Sequence, residues 1–107
     1  MRVPLRYEWD YGKRDQNLVK HGLAFNDAWQ VFENPLKWDF RSTRAGEDER
    51  RQAFAYAPVA QATCVLVYTA RADSVRCISF RRASKREREE YGEFLGTDRQ
   101  LHELVPL

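Results

Sequence analysis

The feature of the sequence that most restricts its fold is a pair of strand-forming segments separated by a short turn. Residues 63–69 are rich in β-branched and aromatic side chains, and residues 75–81 have a similar character. The residues between them, 70–74, are few and mostly small or polar, as in a turn. We therefore expect the two segments to form a β-hairpin.

The register of this hairpin predicts which side chains share a face. If the turn centres on residues 72 and 73, one face is more apolar and belongs in the core: Val65, Val67, Ile78 and Phe80. The other face is more polar and is where a site would lie: Cys64, Leu66, Tyr68, Cys77, Ser79 and Arg81. A change of one residue in the turn would exchange the two faces.

The first helix expected in the sequence is a polar one. Asp10 is placed to N-cap a helix over residues 11–21, and Gly22 is placed to close it in the left-handed conformation. The inward stripe of this helix is expected to contain Tyr11 and Leu18, with His21 as a further candidate.

A second helix is expected to follow almost directly. Asn26 is its expected N-cap, and Asn34-Pro35 ends it because the residue before a proline disfavours the helical conformation. Apolar residues recur at helical spacing, which predicts a face buried in the core: Phe25, Ala28, Trp29 and Phe32.

After Pro35 the hydrophobic period changes to two, which is typical of strands. Residues 36–40 alternate between apolar and charged side chains and predict a half-buried strand. Residues 42–48 are expected to form a charged loop, and residues 49–57 a further strand. A short strand over residues 5–9 is expected to precede the first helix.

The sequence after the hairpin predicts a terminal helix. It is expected to start at Ser84, which forms a capping box with Glu87, and to stop at Gly96. Thr97 opens a second capping box and an optional short helix. The resulting order β-α-α-β-β-β-β-α indicates an α+β fold, in which an antiparallel sheet carries the first two helices on one face and is followed by a C-terminal helix.

Composition narrows the class of protein. The 107 residues suit one domain, and 43% of them are apolar, enough for a core. No apolar run approaches the roughly 20 residues that span a bilayer, and the first residues lack the apolar segment of a secretory signal. We therefore expect a cytoplasmic protein. Because Cys64 and Cys77 lack zinc-site spacing and no phosphate-binding glycine loop is present, neither a metal nor a cofactor is expected.

The charge of the chain is unevenly distributed. The net charge is +2, but residues 71–88 alone contain seven basic and two acidic residues. A strongly basic segment of this kind favours an anionic partner, and nucleic acid is the natural candidate.

Two sequence blocks in the same chain resemble one protein family. The first is W-D-x-x-K-x-x-x-N-x-x-K-H-G over residues 9–22, and the second is I-S-x-R-R-A over residues 78–83. Together with intervening positions they resemble the BrnT toxins over about residues 7–91. Phe80 stands where that family usually has alanine, and the tail over residues 97–107 is outside the pattern.

The resemblance implies both a fold and an activity. It implies a RelE-like ribonuclease fold and a toxin of a type II toxin–antitoxin system that cleaves RNA without a metal and inhibits translation and growth. It also implies a ribbon-helix-helix (BrnA-like) antitoxin that neutralises the toxin in a hetero-oligomer. DNA is then contacted only through the antitoxin, which represses the shared operon.

The residues themselves suit cleavage of RNA without a metal. The 2′-hydroxyl can attack the neighbouring phosphate if a base, an acid and positive charge on the phosphorane are supplied. Arginine stays protonated, so four arginines are candidate phosphate clamps: Arg50, Arg76, Arg81 and Arg82. Candidate bases are Glu49 and His21, the latter at a helix end that favours the protonated form.

Other basic and aromatic residues are candidates for binding RNA: Lys20, Lys85, Arg86, Tyr68 and Tyr91, together with Arg81 and Arg82. Each has a structural alternative. His21 suits packing beside the Gly22 cap, and Glu49 suits a surface ion pair. Lys20 suits the end of its helix, Lys85 and Arg86 suit a solvated helix face with an Arg86–Glu90 pair, and the tyrosines suit burial with a hydrogen bond.

Two other functions are compatible with the sequence. A non-catalytic module would use the basic segment to bind an acidic protein or DNA, and would bind in a salt-dependent manner without cleavage. A degenerate toxin would act only within a DNA-bound repressor complex, and Phe80 is the residue that favours this alternative.

Overall fold

Five strands and three α-helices follow one another in the order that the sequence predicts. The computed structural model describes residues 5–42 and 49–104, with side chains described up to residue 96. The strands are β1 (Arg6–Glu8), β2 (Trp38–Arg41), β3 (Arg50–Ala57), β4 (Ala62–Ala70) and β5 (Ser74–Arg82). The helices are α1 (Tyr11–His21), α2 (Trp29–Phe32) and α3 (Lys85–Leu104), with a 3₁₀ turn (Phe25–Asp27) before α2. The α+β class is confirmed, and the loop predicted at residues 42–48 lies outside the described residues after Ser42.

The sheet is mixed, which corrects the prediction of a purely antiparallel sheet. Its strand order is β1-β5-β4-β3-β2, and β1 runs parallel to β5 while every other neighbour is antiparallel. Local turn signals fix the relative direction of strands that follow one another closely, as in the predicted hairpin. Strands β1 and β5 are far apart in the sequence, and no local pattern specifies that they pair.

One face of the sheet forms the larger core beneath the first two helices. The helical layer contributes Leu23, Phe25, Ala28 and Val31, all of which are buried. The sheet contributes small and medium-sized side chains at its centre: Ala53, Ala55, Cys64, Leu66, Tyr68, Val75, Cys77 and Phe80. This packing fixes α1 and α2 against β3, β4 and β5.

The opposite face carries a smaller core beneath α3. Tyr91 is buried against Phe54, Val65 and Ala83, and the Trp38 and Phe94 rings stack with their centroids 5.3 Å apart. Both faces of the sheet are therefore covered, although α3 reaches only part of its face.

A β-bulge in β5 changes the predicted faces of the hairpin. Val67 pairs with Ser79 and Tyr68 pairs with Cys77, so Ile78 is an extra residue in β5. Phe80 therefore lies on the same face as Leu66, while Ser79 and Arg81 lie on the other. The prediction that the face of Cys64, Leu66 and Tyr68 is the polar one is wrong, because these three side chains are buried in the larger core.

The predicted inward faces of α1 and α2 are also partly wrong. Tyr11 is 78% exposed and Leu18 is 42% exposed, whereas Asn17 is the buried residue of α1. Trp29, which was expected to be buried, is 48% exposed, and Val31 is the fully buried residue of α2 instead. The 3₁₀ turn before α2 rotates the helix relative to a single continuous one, so spacing counted from Phe25 misplaces Trp29.

The predicted caps of α1 and the capping box of α3 are confirmed, but the predicted N-cap Asn26 and the predicted end of α3 are wrong. Asn26 lies inside the 3₁₀ turn, and α2 starts only at Trp29, after Ala28. The Lys13 amide donates to Asp10 Oδ1 (3.1 Å), and Gly22 has a φ of 70° at the end of α1. Helix α3 continues through Gly96 to Leu104, which places the second capping box inside the helix. Glycine ends a helix only where it takes the left-handed conformation, and Gly96 does not. No helix in the described part of the chain is long and apolar enough to cross a membrane.

Candidate functional site

The part of the sheet that α3 leaves uncovered carries a row of polar side chains across four strands. The register aligns Glu8 with Arg76, Arg76 with Thr69, and Thr69 with Arg50. All four residues are half-buried and lie on the face that α3 packs against. Because neighbouring strands are about 4.8 Å apart, the Cα atoms of Arg50 and Arg76 lie about 10 Å apart on either side of Thr69. This row, defined as the open row, brings two of the predicted phosphate clamps together.

The next pairs along the sheet join this row to the start of α3. Ser79 pairs with Val67, and Arg81 pairs with Val65, on the same face as the open row. The Arg81 guanidinium binds both carboxylate oxygens of Glu87, at 2.6 and 2.9 Å. These hydrogen bonds are the largest contribution that lowers the pKa of Glu87, to about 2, and they raise the pKa of Arg81. Arg81 is thus held in one orientation, on the face of the sheet that carries the open row.

Glu87 has a second role that fixes its own position. Its carboxylate accepts a hydrogen bond from the Ser84 amide (2.8 Å), and its amide donates to Ser84 Oγ (3.2 Å). This is the capping box that the sequence predicts at the start of α3. The same carboxylate therefore ties the start of the helix to the Arg81 side chain of β5.

A groove between α1 and the outer edge of β5 brings His21 close to these residues. The groove has a volume of about 330 Å³ and is lined by Lys13, Gln16, Asn17, Lys20, His21, Ile78 and Ser79. Ser79 belongs both to this groove and to the face of the open row. His21 therefore lies beside the polar face rather than in the core, and it is half-buried.

The pKa of His21 is shifted in the direction opposite to the one that the sequence suggested. Burial lowers the pKa most, and the positive charges of Lys20 and Arg81 lower it further. The helix end was expected to favour the imidazolium, but burial and the two nearby cations together outweigh it. A neutral imidazole in this groove can accept a proton at neutral pH.

Asn17 explains why α1 lies along β5 at this point. Strand β1 pairs only with residues 74–76, so the outer edge of β5 beyond Arg76 lacks a strand neighbour. The Asn17 amide donates to the Phe80 carbonyl (2.8 Å) and accepts from the Phe80 amide (3.1 Å), as a neighbouring strand would. It also donates to the Leu23 carbonyl (2.9 Å). In the sequence, only its position in the first motif block marks Asn17.

Several predicted site residues lie away from this face. Glu49 is exposed in the turn before β3 and lines a different groove. Tyr68 is buried in the larger core, where its hydroxyl donates to Asp39 Oδ2 and burial raises its pKa. Tyr91 of α3 is buried between the helix and the sheet, and its hydroxyl donates to the Leu36 carbonyl (2.8 Å). Both tyrosines have the hydrogen-bonded, buried environment that was the structural alternative.

The other predicted RNA-binding residues lie on the surface around the groove and α3. Arg82 is exposed, and its Nη1 lies 3.4 Å from the His21 carbonyl oxygen. Lys85 and Arg86 are exposed in the first turn of α3, and Arg86 Nε donates to Glu90 Oε1 (3.1 Å) as predicted. These side chains add positive charge near the face without being fixed in it.

Glu8 is a member of the open row that sequence reasoning did not single out. It aligns with Arg76, and its Oε2 lies 3.8 Å from Arg71 Nε. Only its place beside Trp9 and Asp10 in the family pattern marked it. Within the described residues, no group of three or more His, Cys, Asp or Glu side chains is arranged to hold a metal ion.

The fold and the face of the open row together indicate the class to which this protein belongs. A small α+β domain with arginines, a threonine and a neutral histidine on one open surface suits the binding of a phosphodiester chain. A family described as the ribonuclease toxin, BrnT, of type II toxin–antitoxin systems matches residues 9–87. The chain therefore belongs to the BrnT family, as the two sequence blocks indicated. No curated protein matches the chain.

Proposed function

We propose that this ribonuclease toxin cleaves RNA internally and without a metal ion, on the face formed by the open row, Ser79, Arg81 and His21. The observations that carry the proposal are the alignment of Arg50, Thr69 and Arg76 across three strands and, further along β5 on the same face, Arg81, whose charge helps to lower the pKa of His21. Guanidinium groups in such a row can hold successive oxygens of one phosphodiester.

The proposed reaction uses the 2′-hydroxyl of the RNA as the nucleophile. Neutral His21 accepts the proton of that hydroxyl while its oxygen attacks the adjacent phosphorus. The arginines stabilise the charge that develops on the phosphorane oxygens. The bond to the 5′-oxygen breaks, and the Lys20 ammonium in the same groove supplies the proton for that leaving group. The products are a 2′,3′-cyclic phosphate and a 5′-hydroxyl.

Glu49 is the second candidate base from the sequence, and its position makes it a less suitable one. It lies beyond Arg50, in the turn before β3, and lines a groove that does not include His21. We therefore assign the base to His21 and give Glu49 no part in the proton transfer.

The decisive experiment is incubation of the purified chain with end-labelled RNA in excess EDTA. Wild-type protein is expected to cut, and Arg76→Gln is expected to cut about a hundredfold more slowly, because one donor to the developing charge is lost. Arg88→Gln is the matched control: it removes the same charge from an exposed residue of α3.

Three outcomes would contradict parts of this proposal. Cleavage that appears only when Mg²⁺ is added would overturn metal independence. Cleavage by Arg76→Gln at the wild-type rate would remove the open row from the active site. RNA that is bound but never cut would instead favour the non-catalytic module or the degenerate toxin.

We further propose that the partner is a ribbon-helix-helix antitoxin that binds the toxin in a hetero-oligomer in the cytoplasm. The family is that of toxins from type II toxin–antitoxin systems, which supports a protein antitoxin. The five-stranded sheet, with two helices on one face and α3 on the other, supports a RelE-like fold. Co-expression with the adjacent gene product is expected to restore growth and to yield a complex that binds operator DNA, whereas the toxin alone does not.

A further inference from the structure

A second basic groove lies at the end of the sheet where β2, β3 and β4 meet. It has a volume of about 480 Å³ and is lined by Arg41, Glu49, Arg51, Thr69, Ala70 and Arg71. Three guanidinium groups and one carboxylate therefore line a space large enough for a phosphate group and its attached sugars. None of these arginines belongs to the two sequence blocks of the family.

Two of the three arginines are placed against each other by the strand register. Arg41 of β2 pairs with Arg51 of β3, so two positive side chains lie directly opposite on one face. Like charges in this position destabilise a sheet, and an anion between them would remove the repulsion. Arg51 is held in place, since its Nε donates to Asp39 Oδ1 (3.0 Å). The side chain of Arg51 is 36% exposed and lines the groove.

The groove is continuous with the open row. Thr69 lines the groove and also stands between Arg50 and Arg76 in the row. Arg71, beyond the end of β4, lines the groove, and its Nε is 3.8 Å from the Glu8 carboxylate in the row. Arg41 and Arg51 lie on the opposite face of the sheet from the row, so an extended polyanion reaches them by passing around the end of the sheet at Thr69 and Arg71.

We propose that the groove binds a phosphate of the RNA chain other than the one that is cut. This inference rests on the proposed function, because it takes RNA as the ligand. The Cα atom of Arg51 is about two strand spacings, roughly 10 Å, from β5, and its side chain lies on the face opposite to that of the open row. The groove is therefore separated from the cut phosphate by at least one flanking nucleotide. Arg41 and Arg71 supply guanidinium groups that match the geometry of phosphate oxygens.

The test measures binding separately from cleavage. The probe is a fluorescent 2′-O-methyl RNA oligonucleotide, which lacks the attacking hydroxyl and so cannot be cut by the proposed reaction. Its affinity is measured against salt concentration for wild type, Arg41→Gln and Arg71→Gln. Loss of one phosphate contact is expected to reduce the slope of log Kd against log salt by about 0.7. Arg88→Gln, which removes the same charge elsewhere, is expected to keep the wild-type slope.

A cleavage comparison locates the contact along the RNA. Arg41→Gln and Arg71→Gln are expected to lower kcat/KM severalfold on a long oligonucleotide and to leave kcat/KM on a dinucleotide, which has a single phosphate, unchanged. Equal losses on both substrates would place these arginines at the cut phosphate and overturn the proposal. Unchanged salt slopes in both variants would also overturn it.

Failure of the proposed function gives a different pattern. If wild type binds the 2′-O-methyl RNA with a slope that depends on Arg41 and Arg71 but cuts no RNA, the groove is supported and the ribonuclease mechanism is refuted. If the protein binds an acidic peptide but no RNA, both proposals are wrong. Arg41 and Arg71 are both exposed, so their substitution leaves the core intact.

Discussion

His21 is the residue whose chemistry depends most on its surroundings in the fold. Its place at the end of α1 is a local property, and the capping residues around it, Asp10 and Gly22, were predicted from the sequence because each acts within one helical turn. The direction of its pKa shift depends in part on Arg81, which lies sixty positions away in the sequence. No local pattern shows the burial of His21 or the nearness of Arg81, so the sequence suggested the opposite direction for the pKa shift.

The lowered pKa of His21 predicts the pH dependence of cleavage. A base must be neutral, so kcat/KM is expected to fall only below the ordinary histidine pKa as the pH decreases. Lys20→Gln removes one of the charges that lower this pKa and is therefore expected to move the acid limb to higher pH. Because Lys20 is also the proposed acid, the variant is expected to cut more slowly at every pH, and the prediction concerns the position of the limb alone. The measurement is the pH profile of kcat/KM for wild type and this variant.

Lys13→Gln is the matched control for the pH profile. Lys13 lines the same groove, but its charge is not among the causes of the His21 shift. Its acid limb is expected to coincide with that of wild type. An acid limb that stays in place in Lys20→Gln, or a rate that rises on acidification, would rule out His21 as the base.

Among the elements, the contact between α1 and β5 shows what periodicity does not reveal. The sequence predicted the bounds of α1 correctly but chose Tyr11 and Leu18 as its inward residues, and both are exposed. The helix lies against a strand edge, where the backbone groups of Phe80 require a polar partner. A buried asparagine meets that requirement, and a search for apolar spacing passes over it.

Asn17→Asp is expected to lower the free energy of unfolding by about 2–4 kcal/mol, because a carboxylate cannot donate to the Phe80 and Leu23 carbonyls and would be buried against them. Urea unfolding measures the change. Gln16→Glu introduces the same charge at the neighbouring exposed position and is expected to change stability by less than about 0.5 kcal/mol. Equal effects of the two substitutions would show that the Asn17 hydrogen bonds are not what couples helix and strand.

The β-bulge at Ile78 is the second feature of an element that the sequence did not reveal. The two strands of the hairpin were predicted almost to the residue, yet one extra residue in β5 reverses the faces beyond it. An alternating pattern of Val, Cys, Ser and Arg is compatible with either arrangement. The bulge is what brings Ser79 and Arg81 onto the face of the open row.

At the scale of the whole molecule, one face of the sheet serves mainly as core, whereas the other face also carries the candidate site. The face beneath α1 and α2 is filled by apolar side chains, while the other face is divided between the α3 core and the open row. The sequence predicted the elements and named four residues that the fold brings to the candidate site: Arg50, Arg76, Arg81 and His21. It did not predict the groove of Arg41, Arg51 and Arg71, because these residues come from three different elements and meet only in the folded sheet.

The two cysteines report on the stability of the whole molecule. Both are fully buried in the larger core, and burial raises the pKa of Cys64 to about 11 and that of Cys77 to about 12. A disulfide reagent is therefore expected to label both thiols in native protein only as fast as the molecule unfolds globally. Labelling in urea is expected to be immediate, and Asn17→Asp is expected to accelerate labelling of the native protein. One thiol that reacts rapidly in native wild type would contradict this.

The position of α1 against β5 also limits where a further strand can be added to the sheet. A bare strand edge recruits strands from other molecules, which leads to aggregation and also offers a docking mode to extended peptides. Because the Asn17 amide occupies the backbone groups of Phe80, this stretch of β5 is closed to both. A peptide inhibitor designed as an added strand would have to pair with one of the two edge strands, β1 or β2, and not with the stretch of β5 beside His21. Blocking the groove at β5 instead requires a folded surface or a small molecule shaped to fit it.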